Sequence, residues 1–195
     1  NAIAETIYEF TTRLIPTDSP TFFVATYDSK TSIISMPLTY LRGVRVQQPP
    51  RPLGQGHSDY IIRSGESLLL NGEEGVRRRQ ELGIDFVPIG DNVEQVRSWM
   101  GVPIRYADQI LGVISLQSID TPYTFTEEHK NLLTAVASQA ASAIQNARLF
   151  QETQAALAET RTLYAIATAA TRSLELKETL QDLLEQVLLA VGMEA

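Results

Sequence analysis

Two histidines, His57 and His129, are the chain's whole supply of imidazole, and cysteine is absent. Nucleophilic catalysis needs a nucleophile, a base and an orienting group, and metal catalysis needs clustered ligands. Two isolated histidines do not make a metal site. No pair of acids stands out by spacing. His129 falls in the first turn of a long helical stretch and reads as a solvated surface residue. His57 lies in a Gly-rich loop, where it either touches a ligand or is a plain loop residue. Gly54-Gln55-Gly56 is not a phosphate loop, because no strand leads into it and no Lys-Ser/Thr follows. Arg77-Arg78-Arg79 is the only basic run. It reads first as a solvated helix face pairing with Glu73, Glu74 and Glu81. The sharper alternative turns one arginine inward to clamp an anion. An enzyme is therefore disfavoured.

The remaining polar candidates sit on a hairpin. Val102 to Arg105 is a short apolar run closed by Tyr106-Ala107-Asp108-Gln109, and Ile110 to Ser118 is the return strand. Alternation puts Ile114 and Leu116 on one face and Ser115 and Gln117 on the other. Ser115 and Gln117 are then either solvent-facing or the few polar groups of a mostly apolar pocket. Gly112 leaves room for a close neighbour. Trp99, the only tryptophan, stands at the start of the hairpin, where core packing is its expected role. After Pro122 breaks the strand, Thr126 is a good N-cap, with Glu127 and Glu128 where the helix dipole favours acids. Leu133, Val136, Ala137, Ala140, Ile144 and Ala147 then recur at helical spacing.

The string Ser98-Trp99-Met100-Gly101-Val102-Pro103-Ile104, followed by Leu111-Gly112-Val113-Ile114-Ser115-Leu116, Phe125-Thr126-Glu127-Glu128 and Ala137 through Leu149, resembles the C-terminal half of a GAF domain. GAF domains are sensor and dimerisation modules of signalling proteins. The resemblance implies a regulatory role without naming a ligand. It places the pocket under the stretch 57 to 97, with Leu68, Asp85, Phe86, Trp99, Ser115 and Gln117 as ligand-binding positions. The cyclic-nucleotide-binding members carry a signature beginning Asn-Lys after this strand. Gln117-Ser118 stands there instead, which argues against cyclic GMP or AMP. Bilin-binding members mostly attach chromophore through cysteine, so a covalent bilin is excluded. The cofactor is otherwise unknown.

Upstream, residues 3 to 14 read as a helix with Ile3, Ile7, Phe10 and Leu14 on one face, ended by Pro16, Asp18 and Pro20. Phe22 to Tyr27 and Ile33 to Tyr40 form a hairpin around Asp28-Ser29-Lys30, with Pro37 marking an edge or bulge. Residues 41 to 59 are loop-like, with Pro49, Pro50 and Pro52. Ser58 could cap a short helix over Asp59 to Arg63, and Ser67 to Leu70 is a short strand before the turn signal Asn71-Gly72. Glu73 to Leu82 is read as helical, and Val93 to Val96 as a further turn of helix. Past Phe150, the positions Ala147, Phe150, Gln154, Leu157, Arg161, Tyr164 and Thr168 form a heptad-like stripe weakened by its polar members. Leu176, Leu180, Leu184, Val187, Leu188 and Val191 mark another amphipathic helix, similar to the start of a second GAF-type unit.

At 44% hydrophobic and 20% charged residues the chain is globular. A net charge of −7 with no basic stripe disfavours nucleic acid and anionic membranes as partners. The lack of cysteine suits a reducing compartment, and no apolar run approaches the ~20 residues of a membrane span, so a cytoplasmic location without membrane insertion is expected. The expected fold is α+β and GAF/PAS-like. It has a central antiparallel sheet of about five or six strands, N- and C-terminal helices on one face, and a long C-terminal helical extension. The expected domains are a sensor at 1–150, a connecting signalling helix at 151–172 and the helical start of a following domain at 173–195. The leading function is a non-catalytic module that binds an unknown small molecule, dimerises, and relays a signal to an output domain such as a sensor kinase of a two-component system. A homodimer would form through Ala140, Ala143, Ala147, Phe150, Gln154, Leu157, Arg161 and Tyr164. The alternative is a ligand-free dimerising spacer.

Overall fold

The computed structural model describes residues 2–15, 21–87, 96–119 and 124–191. Helix α1 (Ala2–Leu14) leads into strand β1 (Thr21–Asp28) and its hairpin partner β2 (Ile33–Leu41). Strands β3 (Val44–Arg45) and β4 (Gln48–Pro52) follow, then helix α2 (His57–Ser64), strand β5 (Leu68–Asn71) and helix α3 (Gly72–Glu81). Strands β6 (Ser98–Tyr106) and β7 (Gln109–Ser118) form the expected hairpin, and helix α4 spans Glu127–Val191. Among the described residues the strands form one antiparallel sheet of order β3-β2-β1-β7-β6-β5, with β4 also paired to β2. The chain divides into two compact units, Asn1–Asn146 and Ala147–Ala195.

The alternation in β7 sorts the sheet into two cores. Ile114 and Leu116 face the terminal helices, in a cluster with Phe22, Val24, Met100, Ile7, Leu133 and Ala137. The opposite cluster joins Phe23, Ala25, Trp99 and Val113 to Ile61 and Ile62 of α2 and to Leu68, Leu70 and Ile84. Helix α1 is held to β2 by the stacked rings of Tyr8 and Tyr40, 3.9 Å apart, and by Glu5, which accepts from the Tyr40 hydroxyl and pairs with Arg45 at 2.6 Å. Gly112 is dictated by packing. A Cβ there would lie 2.0 Å from the Ala25 carbonyl oxygen of β1.

Two readings of the sequence need correction. Residues 41 to 59 contain two strands, because β4 needs hydrogen bonds only toward β2 and an edge position tolerates prolines. The residues after 172 continue α4 without a break to Val191. In the N-terminal helix Ile7 is buried while Phe10, on the same face, is exposed. The expected helical turn at Val93 to Val96 and the breaks at Pro16 to Pro20 and Pro122 fall outside the described residues, apart from Val96.

Candidate functional site

On the α2/α3 face, neighbouring strands place Thr39, Phe23, Ser115, Gly101 and Leu68 in one cross-sheet row. Trp99 and Gln117 are paired in the adjacent same-face row. Ser115 is 0% exposed and Gln117 is 4% exposed, so neither is solvent-facing. The hydroxyls of Ser115 and Thr39 are buried with no hydrogen-bond partner among the described residues, an uncommon condition in folded proteins. The Trp99 ring lies over Gly101, where an added Cβ would meet its Cη2 at 2.2 Å. Glycine at 101 is what lets the indole lie flat on the sheet.

The His57 ring, at the first position of α2, stacks on Trp99 with ring centres 4.8 Å apart and planes 21° apart. Beside this stack is a small cavity of about 20 Å³, lined by His57, Gly75, Val76, Arg79, Ser98 and Trp99 among others. That is room for about one water-sized group. Gly75 seats α3 directly on β5, since a Cβ there would come within 2.7 Å of the Leu70 backbone. Arg79 is half-buried at this cavity, and its Nε is buried without a partner among the described residues.

Asp59 organises the approach to the site. Its carboxylate is buried and accepts four hydrogen bonds, from Arg51 Nη1 and Nη2 at 2.7 Å each, from Gly54 N–H at 2.7 Å and from Gly56 N–H at 2.8 Å. Burial by itself would raise its pKa. The Arg51 fork and the two loop amides outweigh that and hold it below the usual carboxylate value. The arrangement fixes the loop that starts α2 and so fixes His57.

Burial, helped by the nearby Arg79 charge and opposed by Asp59, lowers the His57 pKa from 6.5 to about 4. Between those values the unfolded chain binds a proton that the folded chain refuses. Stability is therefore complete above about pH 6.5 and falls as the pH drops toward 4, by at most about 3 kcal/mol. Urea melts should show a loss of about 2 kcal/mol between pH 7 and pH 5, and His57→Gln should remove most of that slope. An unchanged slope in the variant would place the titrating group elsewhere.

Of the six predicted ligand positions, Trp99 alone lines this cavity. Leu68, Ser115 and Gln117 share its sheet face. Asp85 is exposed and holds Gln55 through its backbone amide, and Phe86 is half-buried nearby in sequence. Arg77 and Arg78 are solvated as the plain reading expected, with Arg78 paired to Glu81. Arg79 differs from both, with its Nε buried and its side chain lining the cavity. His57 and one of the three arginines stand in the sequence only as alternatives, because their adjacency to Trp99 exists only in three dimensions. Among the described residues no cluster of His, Asp and Glu could hold a metal ion, and no helix is long and apolar enough to cross a membrane.

A second surface lies on the other face. Ile7, Phe10, Val136, Ala140 and Ala143 line an apolar groove of about 550 Å³ between α1 and the first part of α4. Ala140, predicted for a dimer seam, is already 2% exposed within its own domain's core and forms part of the groove floor. Ala147, Phe150, Gln154, Leu157, Arg161 and Tyr164 are exposed.

An antiparallel sheet with terminal helices on one face and a small helix-roofed cavity on the other defines an α+β domain. The family model of the GAF domain matches residues 2–144, and the chain belongs to that family. GAF domains are commonly sensor or regulatory modules and are generally not catalytic. No curated protein matches the chain significantly. Solved structures with the same fold include the GAF domain of an Acinetobacter phosphoenolpyruvate-protein phosphotransferase, at 17% identity, TM-score 0.58, covering 76% of this chain and 82% of that one. The GAF-B domain of DevS from Mycobacterium smegmatis is similar at 16% identity and TM-score 0.56, covering 78% and 97%. Residues 122 to 287 of a methyl-accepting chemotaxis protein match at 14% identity and TM-score 0.58, covering 76% and 98%.

Proposed function

We propose that this chain is a cytoplasmic regulatory module that binds a small molecule beside the His57–Trp99 stack, works as a two-fold dimer, and relays occupancy through α4 to an output domain. The observation that carries the reading is the convergence of the stacked His57 and Trp99 with the buried Arg79 Nε, which has no partner among the described residues, at one cavity. Unpaired polar groups inside a folded domain are costly, and a ligand would supply the missing partner. Native mass spectrometry of gently purified protein should detect a bound small molecule. Its consistent absence, with no thermal shift across a broad metabolite screen, would favour the ligand-free spacer. That second reading has its own support, because Trp99 already covers the sheet over Gly101 and the remaining space is small.

Relay has a candidate linkage in Asn71, which ends β5 and caps α3 at the cavity's edge. Its side-chain amide donates to the Phe125 carbonyl at 2.8 Å, and its Oδ1 accepts the Phe125 N–H at 3.0 Å. Phe125 directly precedes the cap of α4, where Thr126 Oγ1 accepts from the His129 N–H and His129 Nδ1 from the Thr126 N–H. A shift of α3 is thereby passed to the first turn of α4. Asn71→Ala removes two bonds worth about 1 kcal/mol each. Amide hydrogen exchange over residues 126–130 should accelerate about tenfold or more. Exchange that stays at the wild-type rate would remove Asn71 from the linkage.

A further inference from the structure

We propose that the cavity takes a small carboxylate, clamped by the Arg79 guanidinium with the His57–Trp99 stack as one wall. This rests on the reading of the cavity as a ligand site and names its chemistry. Two arginines, Arg79 and Arg97, line the space, and no aspartate or glutamate does among the described residues. The acid nearest in influence, Asp59, is already saturated by Arg51 and two loop amides, so it cannot neutralise Arg79. Glu81 on α3 is turned to solvent and paired with Arg78. Among the described residues the cavity is therefore lined by positive side chains and no acid, in a chain of net charge −7.

Size and shape narrow the anion. Space of about 20 Å³ admits one water-sized group, so one oxygen of a planar carboxylate enters it while the second oxygen and the rest of the anion lie at its open mouth, a fit that a bulkier tetrahedral phosphate lacks. The planar guanidinium fork matches a carboxylate in a bidentate contact. His57, kept neutral by burial and by Arg79, lines the same space and adds no second charge to it.

Trp99 is the only tryptophan, so its fluorescence reports this cavity directly. The test titrates sodium acetate, sodium formate, inorganic phosphate and the neutral isostere acetamide at ionic strength held with sodium chloride. Expected are saturable changes with acetate and formate, none with phosphate or acetamide, and a shift of the Arg79 Nε–H resonance at the same acetate concentrations. Arg79→Gln should weaken acetate at least tenfold. Arg79→Lys, which keeps the charge but loses the fork, should also weaken it about tenfold, and serves if the glutamine variant fails to fold. Phosphate or chloride competing on equal terms overturns the carboxylate class. Acetamide binding as well as acetate, unchanged by Arg79→Gln, overturns the clamp while leaving a ligand cavity in place. Silence of both Trp99 and the Arg79 resonance toward every probe overturns the proposal and withdraws its support from the ligand reading.

Discussion

Asp59→Ala is expected to destabilise the domain by about 3–5 kcal/mol, the usual cost of removing one partner from a buried ion pair. The carboxylate is wholly buried and Arg51 is largely so. Without it the guanidinium is left uncompensated and the amides of Gly54 and Gly56 lose their acceptor together. The damage should be local in origin and general in effect. The loop 54 to 56 starts α2, α2 carries His57 and Ile61, and Ile61 is part of the core beneath Trp99. Asp59→Asn keeps the shape and removes the charge, so it should cost less than alanine while still raising the urea sensitivity. The pH dependence has a definite sign. A carboxyl held below its ordinary pKa contributes stability that is present above that ordinary value and is lost as the pH falls through the lowered folded value. Below about pH 4, where His57 has ceased to contribute further slope, the wild type should still lose stability and Asp59→Ala should lose less, keeping only the contribution of other carboxyls held below their ordinary value, such as Asp28. Circular-dichroism melts of the variant that match wild type within about 1 kcal/mol would show that the loop finds another acceptor.

The period-two pattern of β7 was enough to place Ile114 and Leu116 against the terminal helices, because burial of one face by α1 and α4 punishes any slip of register by one residue. The same pattern left Ser115 and Gln117 undecided. A polar alternate face usually means solvent, and only the layer of α2 and α3 above the sheet makes it interior. Prolines hid β4, and β3 is only two residues long. The rule against proline in strands applies to ladders bonded on both sides, and β4 is bonded on one. Helix α4 was legible from its alanines and the absence of Pro and Gly, down to the Thr126 cap.

The candidate site was less legible for a different reason. Trp99 drew attention through size and uniqueness, but His57 and Arg79 lie in separate helices and carry no shared spacing. Arg79 looks like its neighbours Arg77 and Arg78 in the sequence. Its place at the cavity follows from helix phase. Gly75 sits against β5 and Arg79 is one turn further on the same side, so the face that Gly75 brings to the sheet carries Arg79 with it. A glycine four residues before an arginine, in a helix seated on an edge strand, was the available signal.

The largest expected effect belongs to Phe10. It is 58% exposed beside the groove lined by Ile7, Val136, Ala140 and Ala143, and exposed aromatic anchors are what interfaces draw on. We expect this groove to be covered by the same groove of a second copy in the proposed two-fold dimer. In such a pair every substitution occurs twice. An anchor worth about 2 kcal/mol per copy makes Phe10→Asp cost about 4 kcal/mol of association, or about a thousandfold in the dimer dissociation constant. The folded monomer should barely notice, because Phe10 contributes little to its own core and solvent-facing substitutions usually stay within about 0.5 kcal/mol. Sedimentation across a wide concentration range, paired with melts at concentrations where both proteins are monomeric, separates the two effects. Tyr164→Asp, on the stripe formed with Phe150 and Leu157, is the companion variant. If it dissociates the pair and Phe10→Asp does not, association runs through the later part of α4 and the groove is not its anchor. If both weaken it, each surface contributes. A wild type that sediments as a monomer at every concentration removes the dimer from the proposed function and leaves the exposed groove without its expected partner.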